Sequence, residues 1–245
     1  MSNVQCVVLA GGMGTRMSHF TERIPKALIP VAGEPFIRRQ LRLLKNGGVT
    51  DVLLSTGHLG SLLEEEIAAH RPHGLNVRCE TDGDSLLGTA GALRRASDQG
   101  LLNDQFMVVY GDSFLLVDYQ KVWASFDSLR HSALMTVFNN AERLDTSNAT
   151  YANGLVTRYH KGVAGPADAE MDYVDYGLSV FSQAALRDLV PPNCEWDLAT
   201  VFEALSSHAL LQGYEVFDRF FEIGSPRGLA DLENLIAGEN HDAWL

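Results

Sequence analysis

A short apolar run, Val4 to Ala10, empties directly into Gly11-Gly12-Met13-Gly14, and this junction constrains the chain more than any other feature. Such a run reads as a buried strand. The glycines that follow let backbone pass close to a ligand and aim several N–H donors at one anion. The same alternation continues downstream. Phe36 to Lys45 reads as a helix that stops at Gly47-Gly48. Val52 to Thr56 is the next strand, and Leu59, Leu63 and Ile67 share one helix face. Leu75, Val77 and Cys79 alternate as in a half-buried strand, Thr89 to Ala96 is helical, and Phe106 to Tyr110 is a further buried strand. Strands alternating with helices imply a mainly parallel sheet covered on both faces.

The second half reads as hairpins. Ala133 to Phe138, Val174 to Phe181 and Tyr214 to Phe217 are strands, and Asn153-Gly154 is a hairpin turn signal. Asp197 is placed to cap a helix, and Pro226 to Ile236 is a closing helix with proline near its start. Trp123, Phe126 and Leu129 have helical spacing and are expected in the core. His70 and His73 flank Arg71-Pro72, which favours a loop over a metal-binding helix face.

Charge bounds the partners. A formal net charge of -12 argues against nucleic acid, whose phosphates require a basic stripe. It leaves phosphate ligands open, because local cations and backbone N–H groups can hold them. The three cysteines lack C-x-x-C spacing and are expected as thiols in a reducing compartment. With no basic leader and too short an apolar run for a membrane span, the expectation is a cytoplasmic protein without membrane attachment.

The glycine turn fits neither common phosphate motif. A Rossmann fingerprint from Gly12 would need glycine where Met17 stands, and no Walker G-K-[S/T] is present. A tight turn without ligand stays as open as a phosphate loop. Arg16 and Lys26 add two cations on the same long loop, expected at the carboxyl edge of the sheet, where open α/β sheets bind ligands. Asp112 ends a buried strand, where a carboxylate either holds a hard cation or caps a turn.

Leu9 to Arg16 followed by Pro25-Lys26-Ala27-Leu28-Ile29-Pro30-Val31-Ala32-Gly33-Glu34-Pro35 resembles the signature of sugar-1-phosphate nucleotidylyltransferases. The likeness continues through Glu80, Leu87-Gly88-Thr89-Ala90-Gly91, Gly111-Asp112, Lys161 and Glu222-Ile223-Gly224-Ser225-Pro226. It is nearest to mannose- and heptose-1-phosphate guanylyltransferase-like members. The resemblance implies a Rossmann-like three-layer α/β sandwich, with a mainly parallel mixed central sheet and a hairpin-rich sugar-side lid. It implies one domain over residues 1–245, with a nucleotide-binding half at 1–130 and a sugar-phosphate-binding half at 131–245.

The implied reaction joins an NTP, with a leaning to GTP, to a sugar 1-phosphate, giving NDP-sugar and pyrophosphate for glycan or secondary-metabolite biosynthesis. Magnesium would be the cofactor, held by Asp112 and Glu222. Arg16, Lys26 and Asp112 would be catalytic. Leu9, Ala10, Gly11, Gly12, Gly14, Thr15, Arg16, Glu80, Gly88 and Thr89 would contact nucleotide, and Gly111, Lys161, Asp175 and Gly177 the sugar phosphate. Taken alone, Thr89 also reads as the cap of its own helix. His160-Lys161 and Asp175-Tyr176 depart from the Glu-Lys and Asn-Ala of many relatives. They leave open a cytidylyltransferase for a non-sugar phospho-alcohol, besides a non-catalytic nucleotide-sensing subunit. The partners are thus small molecules, and a homo-oligomer stays possible.

Overall fold

The computed structural model describes residues 3–12, 24–57, 59–81, 87–140, 146–162 and 171–238. In chain order the strands are β1 (Gln5–Leu9), β2 (Pro30–Val31), β3 (Glu34–Pro35), β4 (Asp51–Thr56), β5 (Asn76–Thr81), β6 (Gln105–Tyr110) and β7 (Ser113–Phe114). They continue as β8 (Ala133–Asn139), β9 (Ala149–Ala152), β10 (Leu155–Tyr159), β11 (Tyr173–Ser182), β12 (Leu211–Val216) and β13 (Phe221–Glu222). The helices are α1 (Phe36–Asn46), α2 (Gly60–Ala69), α3 (Gly88–Asp98), α4 (Tyr119–Ser125), α5 (Gln183–Leu189), α6 (Leu198–Ser207) and α7 (Pro226–Ala237). The chain is α/β with a mixed central sheet. Two compact units are each assembled from sequence-distant segments.

The first unit takes residues 1–86, 109–119 and 220–245. Its strands run β5-β4-β1, all parallel, with Leu9 opposite Ser55 and Ser55 opposite Glu80. Every residue of β4 is buried, as expected of a strand covered on both faces. β5 lies at the edge of this order, and its outward positions are exposed. α1 begins after extended Pro35. It ends where Gly47 N–H reaches Leu43 O at 2.8 Å, with Gly48 at φ +84°. An apolar cluster of Ile29, Val31, Phe36, Phe114, Phe221, Ile223, Leu232 and Ile236 binds α1, α7 and the two-stranded β7–β13 ladder together. Phe36 and Phe114 meet at 6.4 Å between ring centroids.

The second unit takes residues 87–108 and 120–219, with strand order β6-β11-β8-β12-β10-β9. β8 runs parallel to β12 and antiparallel to β11, so this part is mixed. Asn153 at φ +53° and Gly154 at φ +80° turn β9 into β10, as their sequence signal implies. Its aromatic core links Phe106, Phe181, Phe202 and Tyr159 through centroid distances of 5.4–6.3 Å.

The helical reading of Trp123, Phe126 and Leu129 holds for Trp123 alone, and core packing fails at Leu129. α4 stops at Ser125, Phe126 is half-buried, and Leu129 is 97% exposed. Asp127 explains the stop. Its carboxylate accepts the Leu129 N–H at 3.2 Å and its carbonyl accepts the His131 N–H at 2.9 Å, offering the backbone a turn instead of a helix. Among the described residues, no helix is long and apolar enough to cross a membrane.

Candidate active site

In the first unit, three chain segments are drawn together at the carboxyl end of β1. Ala10 N–H continues the parallel ladder to Ser55 O at 2.8 Å, and Gly111 N–H reaches Leu9 O at 2.9 Å. These approaches need glycine. A Cβ at Gly111 would stand 2.8 Å from Leu9 O, and one at Gly57 would stand 2.6 Å from Gly11 O. The Gly57 requirement escapes a motif reading, although a glycine at a strand end is its visible signal.

Lys26 is set by its neighbours. Pro25 is extended, and a 3-10 turn over Lys26–Leu28 follows, closed by Ile29 N–H to Lys26 O at 3.0 Å. Ala27 and Ile29 are buried on either side. The side chain is 15% exposed, and its ammonium lies 2.7 Å from Asp112 Oδ2.

Asp112 stands between β6 and β7. β7 pairs with β13 so that Ser113 is opposite Glu222, and Ile223 N–H donates to Asp112 O at 3.0 Å. This pairing brings the two expected acids together. All three charged groups surround Gly224. A Cβ there would stand 2.6 Å from Glu222 Oε2, 2.8 Å from Lys26 Nζ and 3.2 Å from Asp112 Oδ2. The Glu222 carboxylate accepts the Gly224 N–H and, at 2.5 Å, the Ser225 hydroxyl. Ser225 also caps α7 by accepting the Gly228 N–H at 3.0 Å. Gly228 leaves room that a Cβ would take from Glu222. Ser225 and Gly228 are thus supports that sequence reasoning did not single out.

The donor set fits magnesium. The Asp112 carboxylate, in the turn before β7, and the Glu222 carboxylate, on β13, both lie beside Gly224, and their hydrogen bonds leave lone pairs unused. A hard cation that keeps several waters asks for one or two such ligands, with phosphate oxygens completing the shell. Among the described residues, no cluster of three or more His, Cys, Asp or Glu offers a fuller cage.

Leu9, Ala10 and Gly11 are partly exposed and Gly12 is exposed. Glu80, at the carboxyl end of β5, lies in the same row as Ser55 and Leu9. Gly14, Thr15 and Arg16 lie outside the described residues.

The remaining candidates belong to the second unit. Gly88, at φ +68°, lets the start of α3 meet the Trp196 backbone, since a Cβ would stand 2.6 Å from Trp196 O. Ala90 N–H donates to Trp196 O and Trp196 N–H to Leu87 O, both at 2.8 Å. Thr89 is not the cap of its own helix, whose N-cap is Leu87. Its hydroxyl accepts the Leu198 N–H at 2.8 Å and donates to Asp197 Oδ1 at 3.3 Å, so it supports the start of α6. Asp197 caps α6 through the Ala199 N–H at 2.9 Å, and its other oxygen accepts Lys161 Nζ at 3.0 Å. Burial pushes the Asp197 carboxyl up, but the Ala199 amide, Lys161 and Thr89 more than offset this and hold it below its usual value.

Glu203 accepts the Lys161 N–H at 3.3 Å and pairs with His160 Nδ1 at 3.1 Å. Asp175 serves the backbone. Its Oδ1 accepts the Gly177 N–H at 2.9 Å, where β11 shifts register and Gly177 adopts φ +104°. The Tyr159 phenol is pushed up by burial first and then by Asp175, Asp197 and Glu203. Glu203, and the link of Asp197 to Lys161, are what the sequence reading missed here. Both contacts are long-range and leave no local pattern.

The chain matches the model of the MobA-like NTP transferase domain over residues 6–231. It is 27% identical over 236 residues to the mannose-1-phosphate guanylyltransferase catalytic subunit beta of Danio rerio, covering 91% of this chain and 62% of that one. It is 28% identical to the D-glycero-alpha-D-manno-heptose 1-phosphate guanylyltransferase of Aneurinibacillus thermoaerophilus, over 49% of this chain and 51% of that one. The chain thus spans between about half and two thirds of the length of these curated relatives. The crystal structure of HddC from Yersinia pseudotuberculosis, also solved with GMP-PN, shares the fold. Its TM-score is 0.76 at 22% identity, covering 95% of this chain and 99% of that one. This chain belongs to the MobA-like NTP transferase domain family.

Proposed function

We propose that this member of the family transfers a nucleotidyl group from an NTP to a sugar 1-phosphate, releasing pyrophosphate and leaving an NDP-sugar. The observation that carries this reading is the convergence of Lys26, Asp112 and Glu222 around Gly224. The names of the guanylyltransferase relatives support it and favour GTP as the donor.

An oxygen of the sugar phosphate attacks the α-phosphorus. The bond to the oxygen bridging the α- and β-phosphates breaks, and pyrophosphate departs with that oxygen. No side-chain nucleophile is required, because the substrate supplies its own. The protein's task is to position the reactants and stabilise charge. Magnesium, held by Asp112 and Glu222, would supply a Lewis acid for the polyphosphate oxygens. Lys26 holds a fixed ammonium beside the same carboxylates and stabilises charge at the α-phosphoryl group. The glycine turn from Gly11, with Arg16, binds the outgoing phosphates. In the second unit, Lys161 offers a cation to the sugar's phosphate, and Thr89 and Asp197 keep that lysine in place. The three cysteines form no disulfide and suit a reducing cytoplasm.

The test is pyrophosphate release from a panel of GTP, UTP, dTTP, CTP and ATP against mannose, heptose and glucose 1-phosphates, with magnesium. Turnover with at least one pair, most of all GTP with a manno-configured sugar, is expected. Silence from folded protein with every pair overturns the reading.

A further inference from the structure

We infer that Gln40 is a positioning residue that fixes the orientation of Asp112. This rests on the metal role proposed for Asp112. Gln40 lies on α1 within the buried run Ile37, Leu41 and Leu44, and is itself only 2% exposed. Its Nε2 donates to Tyr110 O at 2.8 Å and to Ser113 O at 2.9 Å. These carbonyls stand immediately before Gly111 and immediately after Asp112. One amide therefore clamps both ends of the turn that carries the carboxylate. Both Nε2 hydrogens are used, and Oε1 is buried with no hydrogen-bond partner. An uncompensated amide oxygen in an apolar site is unfavourable, so packing alone would favour an aliphatic side chain here.

The clamp adds to the backbone bonds on the same turn. Gly111 is held by Leu9 O on one side, and Asp112 O is held by Ile223 N–H on the other. Gln40 adds a tie from α1 to the Tyr110 and Ser113 carbonyls, so the peptide groups next to those flanking the Asp112 Cα are fastened to one buried side chain. Supports of this kind are worth about 10–100-fold in metal affinity when removed.

The experiment compares the full chain with Gln40→Met, which keeps length and loses both donors, and Gln40→Glu, which keeps shape and turns acceptor oxygens toward both carbonyls. Asp112→Asn is the control. Two readouts are taken well below the melting temperature. One is Mn²⁺ binding followed by electron paramagnetic resonance with GTP present. The other is the Mg²⁺ concentration at half-maximal turnover, with kcat and the KM for GTP. Both Gln40 variants are expected to weaken Mn²⁺ about tenfold. They should raise the Mg²⁺ requirement in step and lower kcat, with the KM for GTP within about twofold.

Wild-type Mn²⁺ affinity and Mg²⁺ requirement in either folded Gln40 variant, while Asp112→Asn loses both, overturns the inference and leaves the proposed reaction standing. Mn²⁺ binding that depends on Asp112 and Gln40 in a protein without turnover upholds the inference and removes the proposed reaction. Absence of any Asp112-dependent Mn²⁺ binding overturns both.

Discussion

The two units hold their charged groups by different means. In the first, Lys26, Asp112 and Glu222 are positioned mainly by backbone, with the Ser225 and Gln40 side chains in support. A strand pair places the acids, a 3-10 turn places the lysine, and glycines at 111, 224 and 228 make the space. In the second, Lys161 is held by side chains, through Asp197 and the Thr89 hydroxyl that supports it. The lysines reflect this, since Lys26 is 15% exposed and Lys161 is 55% exposed. Backbone geometry is stiff and admits one arrangement, which suits charge stabilisation that every turnover repeats. A solvent-facing side-chain cluster adjusts at low cost, because exposed ion pairs contribute little. Under the proposed function, acceptor choice would vary in the second unit without disturbing the first.

That contrast breaks most sharply at Asp112. Asp112→Asn should lower kcat about 10³-fold while circular dichroism and melting stay near wild type. Ordinary turnover in that variant would remove the carboxylate from the reaction. Lys26→Ala should lower kcat about 10²-fold with little change in the KM for nucleotide, since its charge matters most in the transition state. A rise in KM alone would make it an ordinary binding group. Gly111→Ala presses a Cβ against Leu9 O and Ala10, and should cost about 1–3 kcal/mol, seen as a lower Tm. An unchanged Tm would mean that the backbone at the end of β1 is softer than the contrast requires. In the second unit, Lys161→Ala should raise the KM for the sugar phosphate about tenfold and spare kcat. An equal fall in kcat would erase the distinction between the units.

The smallest effect concerns Glu34. Its hydrogen bond from Arg42 outweighs burial, and the nearby arginines help hold the carboxyl below the usual carboxylate range. A depressed pKa means that the ionised form stabilises the fold above the unfolded value of about 4.3, and that this is lost as pH falls through the folded value. Glu34→Gln should therefore lower Tm at pH 7 by an amount worth under about 1 kcal/mol. The gap should narrow in acid. Constancy of the gap down to pH 3 would count against the ion pair.

The alternation of the first half was legible because buried parallel strands and amphipathic helices leave strong periods. The starts of β1, β4 and β6 agree with their apolar runs to within a residue or so. The turn at Asn153-Gly154 and the cap at Asp197 were legible because each follows from local backbone chemistry. Composition and spacing alone could not bring Asp112 to Glu222. The strands that join them, β7 and β13, are two residues each, too short to carry a period. Only the likeness to a known signature linked the two acids. The alternative reading of Thr89 as cap of its own helix fails because the hydroxyl serves the start of α6, far along the chain. Leu129 was misplaced because helical spacing continued on paper past Asp127, where the backbone turns. Gln40 did leave a trace, as a polar residue inside the buried stripe of α1, but a glutamine there is ambiguous until its partners are known.

The β7–β13 ladder also bears on synthesis. A chain emerging from the ribosome displays the β1 glycine turn and Asp112 long before Glu222 is translated, and units fold as their parts become available. Until Phe221 and Glu222 emerge and dock beside Ser113 and Phe114, the nascent polypeptide carries one acid of the pair. The proposed pair of carboxylates is thus assembled only after both strands of this ladder have left the ribosome.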